Sequence, residues 1–268
     1  MTNPRVALVT GAARGIGAAT VHELCRHGYQ VIAVDIDGEN LEAESVAGLG
    51  YALANASDLT AVASTHPGDV IPVVADVRDL DALRSAAGLA IEHFGRLDVA
   101  VAAAAVIVGG KPQWETPNQH LQTLLDIDVI GVWNTAAATV PHMLSGPTPH
   151  DCRFVAVASA AGSHGLFRLA GYNVAKHAVI GLVRGLSADL VGTGVTAVAV
   201  SPGSTDTQML QATADIYGLQ TVDDFIQSSP IRRILKPEEV AETIAFCCSQ
   251  AGAVLNGSVV SASGGFIG

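Results

Sequence analysis

Charge is scarce in this chain, and positive charge scarcest. Of 268 residues, 15% are Asp, Glu, Lys or Arg, with 14 basic against 25 acidic side chains and a formal net charge of −11. Neutralising a nucleic-acid backbone needs clustered Lys and Arg, so that class of partner is excluded. Cysteine is as thin. Cys25, Cys152, Cys247 and Cys248 are too scattered for a disulfide scaffold and no two pairs sit at zinc spacing, which leaves structural thiols. The nine His fall singly, with no HExxH pattern, and no metal ligand is expected among them. Long apolar runs are missing as well. Mean hydropathy is +0.39, yet the longest run, Val99 to Val108, is ten residues. A spanning helix needs roughly 18 or more. The start, Met1-Thr2-Asn3-Pro4-Arg5, shows no signal-peptide anatomy. The expectation is a soluble, cytoplasmic protein that meets neither nucleic acid nor membrane.

What is present is apolar and periodic. Hydrophobic residues make up 49% of the chain, too many for a disordered one. Short β-branched runs predict strands at Val6–Val9, Val31–Val34, Val70–Val74, Val99–Val101, Phe154–Ala158, Val195–Val200 and Val259–Val260. Between them, helices are predicted over Ala18–Gly28, Leu80–Phe94, Thr116–Leu144 with an easing at Pro141, Tyr172–Leu190, and Pro237–Cys248. Glu39 to Gly68 is the least regular part and predicts a loop with a short helix. Strands apolar throughout are buried on both faces, and alternation with helices makes the sheet parallel and doubly wound. With no repeat and no low-complexity linker, residues 1–268 read as one α/β domain of three layers, αβα.

Thr10-Gly11-Ala12-Ala13-Arg14-Gly15-Ile16-Gly17 follows the first strand and opens the first helix. Glycine is needed where the backbone turns sharply and where a side chain would block a pyrophosphate. The free N–H groups of the helix start then face the phosphates. Alone this is an ordinary turn; Asp35 at the end of the second strand, 18 residues past Gly17, is what points to a dinucleotide, with its carboxylate at the ribose hydroxyls. Arg14 could receive a 2′-phosphate. Against that, the phosphate would lie beside Asp35, and like charges at ~4 Å cost roughly 1–4 kcal/mol. NAD is therefore expected over NADP.

The GxxxGxG spacing, with Thr10 before it, resembles the short-chain dehydrogenase/reductase family, a Rossmann-type fold, and later motifs along essentially the whole chain fall in that family's order. The resemblance implies that Asp76 and Val77 meet the adenine, and that Pro202, Gly203, Thr205 and Thr207 hold the carboxamide and phosphates. Ser159, Tyr172 and Lys176 match its catalytic triad. Tyr172 and Lys176 stand four apart and share a helix face. A Tyr of ordinary pKa near 10 is a poor base, and an adjacent ammonium is expected to lower it. Tyr172 then takes a proton from an alcohol or gives one to a carbonyl, with Ser159 bonding the same oxygen.

Two departures stand beside the match. Ala102-Ala103-Ala104-Ala105 replaces the family's Asn-Asn-Ala-Gly, so the backbone still approaches the cofactor at Ala103, Ala104 and Ala105 but a side-chain bond is lost. Asp128 stands where the family has a fourth catalytic residue, an Asn whose main-chain carbonyl holds a water linked to the Lys. The bland alternative is that Asp128 simply faces solvent from a helix.

Phrases such as Gly131-Val132-Trp133-Asn134-Thr135 and Ser201-Pro202-Gly203-Ser204-Thr205-Asp206-Thr207 resemble a narrower, mycofactocin-coupled subfamily. That resemblance implies a retained NAD and a redox carrier, mycofactocin, as partner; the wider one implies a homotetramer. The expected activity is interconversion of a primary or secondary alcohol and its carbonyl. The alternatives are a 3-oxoacyl-thioester (acyl-carrier-protein) reductase, which would want a basic docking patch from Lys111, Arg168, Arg232 and Arg233, and a non-catalytic NAD-binding protein. A substrate loop is expected over about 205–235, offering Met209, Leu210, Ile216, Tyr217, Phe225 and Ile226, with Val108, Trp114, Phe167 and Leu169 opposite.

Overall fold

The computed structural model describes residues 4–41 and 46–267. Residues 42–45, inside the irregular Glu39–Gly68 segment, and residues 1–3 and 268, at the ends of the predicted domain span, lie outside the described residues. Seven parallel strands form one sheet: β1 (Val6–Thr10), β2 (Gln30–Asp35), β3 (Val70–Val74), β4 (Val99–Ala102), β5 (Arg153–Val157), β6 (Thr196–Pro202) and β7 (Val259–Ala262). Their order is β3-β2-β1-β4-β5-β6-β7. The order reverses after β1, which neighbours both β2 and β4. Open parallel sheets leave a crevice at such a reversal.

The helices are α1 (Gly15–Arg26), α2 (Ala56–Ser64), α3 (Leu80–Phe94), α4 (Asn118–Leu124), α5 (Gly131–Ser145), α6 (Ala170–Asp189), α7 (Gln208–Tyr217) and α8 (Pro237–Cys248). Alternate strand residues feed opposite layers. Ala7, Val9, Val31 and Val155 pack with Val21 and Leu24 of α1 and Val240 and Ile244 of α8. Val6, Leu8 and Ile32 pack against Leu83, Ala86 and Ala90 of α3. Ala100, Phe154 and Ala197 meet Met143 of α5 and Val179 and Val183 of α6. Each completely buried Val, Leu or Ile contributes roughly 1.5–3 kcal/mol, so this two-sided burial is what holds the layers together.

Local chemistry sets the helix ends. Asp79 accepts bonds from the amides of Asp81 and Ala82, and Gly95 closes α3 with φ +78°. Asn55 and Asp58 form a reciprocal cap that starts α2 within the irregular segment. Two expectations need correction. The first helix begins at Gly15, not Ala18, so the glycine loop runs directly into it. The long helix expected over 116–144 is three pieces: α4, a π-helical turn at Leu125–Ile130, and α5, which passes through Pro141 unbroken. The wider turn is where Asp128 lies, with its side chain buried. Solvent exposure, the bland alternative for Asp128, is excluded. No helix among the described residues is long and apolar enough to cross a membrane.

At the opposite edge from the strand exits, Asp98 ties the first and fourth strands together. Its carboxylate is 1% exposed and accepts the Val6 amide at 2.8 Å and two guanidinium bonds from Arg96, at 2.8 and 2.6 Å. Removing it orphans a buried N–H and a largely covered cation. Asp98→Ala is expected to cost about 3 kcal/mol, read as a lower urea midpoint; a change under about 0.5 kcal/mol, the scale of an ordinary surface substitution, would show the pair to be ornamental.

Candidate active site

All the predicted cofactor residues gather on one cavity at the carboxyl ends of the strands, with a volume of about 690 Å³. At its base, Gly11 has φ +67°, and a Cβ there would stand 2.7 Å from the Ala104 nitrogen. A Cβ on Gly17 would meet the Gly11 carbonyl oxygen at 1.9 Å. The loop thus lies backbone against backbone, leaving the helix start open to an anion. Thr10 explains how the Ala102–Ala105 run is held without the family's Asn: its hydroxyl accepts the amides of Ala103 and Ala104, at 3.2 and 3.4 Å. On the far side, Gly203 sits so close to Ser263 that a Cβ would be 2.5 Å from that residue's carbonyl oxygen. Thr205 bonds the Gly203 carbonyl at 3.0 Å, and Thr207 caps α7 through the Leu210 amide. Ile16, Val77 and Pro202 line the same space.

Asp35, at the end of β2, is fixed by accepting the amides of Ala13 and Ile36, both at 2.8 Å. Burial pushes its carboxyl above the ordinary value, against these amides and Arg14. Asp76 is gripped by Arg78, at 2.5 Å from Nη2. Arg14 corrects an expectation. Far from waiting for a 2′-phosphate, it donates to Asp58 through Nε at 2.9 Å and Nη2 at 2.6 Å, and to Gln208 at 2.5 Å. It therefore fastens the glycine loop to α2 and α7.

The triad residues line the same cavity. Ser159 lies two residues past the end of β5, at the start of a 3₁₀ turn over Ala160–Gly162, and accepts the Ala161 amide at 3.1 Å, which fixes its side chain. Tyr172 is buried, with its hydroxyl 3.9 Å from the Met209 sulfur. Lys176 Nζ lies 5.5 Å from the Tyr172 ring centre and 3.4 Å from the Val157 carbonyl. It also lies 3.2 Å from Asp128 Oδ2, in an ion pair whose side chains are 2% and 0% exposed. Asp128 Oδ1 accepts the Val106 amide at 2.9 Å. Asp128 does not line the cavity itself; it reaches the chemistry through Lys176. Burial disfavours the charge on Lys176, but Asp128 and Tyr172 outweigh it and hold the ammonium above its usual range. Burial likewise pushes the Asp128 carboxyl up, opposed by Lys176 and the Val106 amide.

The expected lowering of the Tyr172 pKa does not emerge. Burial pushes the phenol up, Lys176 and Ser159 pull it down, and Asp128 pushes it up again, leaving it above the ordinary value. An ammonium whose charge is matched by a carboxylate has less left for the phenolate.

The sequence reading missed one wall. Val46, Tyr51 and Leu53, in the segment between β2 and α2, line the cavity. The Tyr51 hydroxyl accepts the Ile107 amide at 3.1 Å, and Thr123 of α4 donates to the Ala47 carbonyl at 3.2 Å. Apolar residues recurring in an irregular stretch were the available signal. The opposite wall is α7 and the 3₁₀ turn Val222–Ser228, more regular than the predicted loop. Met209, Leu210, Ile216, Tyr217 and Phe225 line the cavity as expected, facing Phe167 and Leu169. Ile226, Val108 and Trp114 do not; Trp114 is 84% exposed and Val108 is buried in the core. Among the described residues no group of three or more His, Cys, Asp or Glu is placed to hold a metal.

A family model described as enoyl-(acyl carrier protein) reductase matches residues 11–267. A (−)-trans-carveol dehydrogenase of Rhodococcus erythropolis is 34% identical over 210 residues, 77% of this chain and 73% of that protein. A 3-oxoacyl-[acyl-carrier-protein] reductase of Thermotoga maritima is 29% identical over 269 residues, 98% of each. The crystal structure of a carveol dehydrogenase from Mycobacterium avium in complex with NAD superposes with a TM-score of 0.87 at 28% identity, covering 98% of both chains.

The position of Arg14 changes what a cofactor switch requires. Asp35→Ala alone is expected to weaken NAD binding without creating a preference for NADP, because Arg14 stays on Asp58. Adding Asp58→Asn keeps the α2 cap but frees the guanidinium, and NADP should then bind about tenfold more tightly than to the single variant. Calorimetry on the three proteins checks this; NADP binding more tightly than NAD to the unmodified protein would refute it.

Proposed function

The chain belongs to the short-chain dehydrogenase/reductase family, and we propose that it interconverts an apolar, medium-sized alcohol, primary or secondary, and its carbonyl with NAD as cofactor. The observation that carries this reading is the Tyr172 phenol, buried beside Lys176 and opening into a cavity continuous with the glycine loop. Bound NAD supplies the acceptor for the carbinol hydrogen and its electron pair. Tyr172 takes the hydroxyl proton in oxidation and returns it in reduction. Ser159, held by the Ala161 amide, aims its hydroxyl at the same oxygen. Met209 and its apolar neighbours keep water from the phenol and favour a hydrocarbon body in the substrate. The names of the carveol dehydrogenases support an alcohol of that kind.

The acyl-carrier alternative finds less support. Of the four cations expected to form a docking patch, Arg233 is paired with Glu239 at 2.5 Å and Arg168 lies over the Phe167 ring at 5.0 Å.

The finer reading is that NAD stays bound between turnovers and is reoxidised by a separate carrier, mycofactocin in the resembling subfamily. Support comes from two tethered covers. The Tyr51 segment is tied to Ile107, while α7 is tied to Arg14 through Gln208, and Tyr217 bonds the Phe167 carbonyl at 2.8 Å. Covers of this kind slow exchange of whatever lies beneath.

Two experiments test these layers separately. Tyr172→Phe is expected to abolish turnover while changing NAD affinity by no more than about threefold, because the ring still packs and only the ionisable oxygen goes. Wild-type-like activity in that variant would sink the triad. Protein purified without added nucleotide is expected to carry NAD by mass spectrometry, and to turn over alcohols repeatedly with a dye acceptor but only once with free NAD. Steady turnover with free NAD alone would reject retention and leave the dehydrogenase reading standing.

A further inference from the structure

One buried charge has no place in the mechanism above. Asp128 occupies the π-helical turn between α4 and α5, and its side chain is entirely inaccessible. One oxygen, Oδ1, is engaged by the Val106 amide, a bond that a neutral amide oxygen can also accept, though more weakly. The other, Oδ2, has no hydrogen-bond partner and sits 3.2 Å from Lys176 Nζ. The negative charge thus serves nothing in the local fold except to face the ammonium that stands beside Tyr172.

We infer that Asp128 is a positioning residue that holds Lys176 in an ion pair and thereby sets the pH at which Tyr172 can act as a base. The inference rests on the proposed dehydrogenase reading and gives its acid–base group a working range. The argument is one of charge counting in a buried cluster. With Asp128 ionised and Tyr172 protonated, the Asp128–Lys176–Tyr172 group is neutral, and ionising the phenol leaves a net negative charge out of water. With a neutral residue at 128, the same step takes the group from net positive to neutral. Low-dielectric surroundings make the second far easier than the first.

The other groups facing Tyr172 do not reverse this. Lys176 lies on its own helix, Ser159 comes from the end of β5, and Tyr51 from the β2–α2 segment is a second neutral phenol in the same field. Met209 of α7 brings only a thioether. Tyr51 bonds the Ile107 amide and adds no positive charge. The protein therefore favours the protonated phenol at neutral pH, the form that gives a proton to a ketone, and reaches the phenolate needed for alcohol oxidation only at higher pH.

The test is the pH dependence of alcohol oxidation by the NAD-loaded protein, wild type against Asp128→Asn. The amide keeps the size and the Val106 bond. The acid limb of the variant is expected to move down by at least one pH unit, which is about a tenfold gain in rate at a fixed pH on that limb. The plateau at high pH should stay within a few-fold. A purely structural role would lower the rate or the melting temperature evenly and leave the limb in place, and that result overturns the inference. Asp128→Ser, also neutral and able to accept the Val106 amide, must shift the limb in the same direction, and serves where the Asn variant does not fold. A readout free of substrate keeps the two readings apart. Ultraviolet difference titration of phenolate, corrected with Tyr172→Phe in each background, should show Tyr172 ionising at lower pH once Asp128 is neutral. Absence of turnover with an unchanged titration difference would fault the dehydrogenase reading alone, whereas coincident titrations would fault the role given to Asp128. Where neither variant folds, the wild type decides: its Tyr172 must still be protonated at neutral pH, and phenolate there overturns the inference.

Discussion

A parallel sheet forces every strand to leave by the same edge, and the rest of this molecule is arranged around that constraint. β1 delivers Thr10 and the glycine turn, β2 delivers Asp35, β4 the alanine run, β5 Ser159 and β6 Pro202. The register brings these exits level. Thr10 pairs with Val34 on one side and Ala102 on the other, and Ala102 pairs with Ala156. None of the five segments makes a site alone. Their convergence follows from strand direction and register, and the reversal at β1 opens the space between them. Thr10 shows how tightly backbone and site are coupled: its hydroxyl stitches the end of β1 to the two amides that follow β4.

Within that frame, burial is the dominant electrostatic fact. Tyr172, Lys176 and Asp128 are all withdrawn from water, so lost hydration is the largest influence on the charge of each and the buried neighbours act against or with it. A cation–phenol pair is often treated as sufficient to make the phenol a base. Here desolvation outweighs the cation, and the carboxylate behind the lysine works against it as well. Buried ion pairs are weak evidence for stability, because the desolvation of both partners offsets their attraction. The Asp128–Lys176 pair is better understood through what it does to the neighbouring phenol than through what it adds to the fold.

How much of this was legible in the sequence depended on the range of the interaction that decided it. α3 and α8 were predicted with the bounds they have, because Asp79, Gly95 and Pro237 mark their ends locally. The parallel sheet was legible from strands apolar at every position. The triad was legible because Tyr172 and Lys176 are one helical turn apart, and Ser159 follows closely on a strand. By contrast, the π register around Asp128 leaves no mark in the spacing of apolar residues, and the partners of Asp128, Lys176 on α6 and the Val106 amide, lie far along the chain. Arg14 looked free because Asp58, its partner, lies 44 residues away. Tyr51 reaches Ile107 across 56 residues, from a stretch without periodicity. Contacts of that span are set by the finished fold, and no local pattern encodes them.

Those same long contacts close the cavity from two sides that are joined at Arg14. The Tyr51 segment is held by single bonds to Ile107 and α4, while α7 is held by Arg14 and by the Tyr217–Phe167 bond. Each neutral hydrogen bond adds only about 1 kcal/mol net, and the charged one to Arg14 somewhat more. Neither cover is therefore locked by any one bond, and each draws on the apolar packing beneath it. The two meet at Arg14, which donates to the Ala52 carbonyl beside Tyr51 at 3.4 Å and to Gln208 of α7 at 2.5 Å. Tyr51 and Leu53 on one wall and Met209 and Tyr217 on the other also pack against the same core cluster. Loosening one wall is therefore felt by the other, and the cover over the phenol and the glycine loop behaves as one coupled unit.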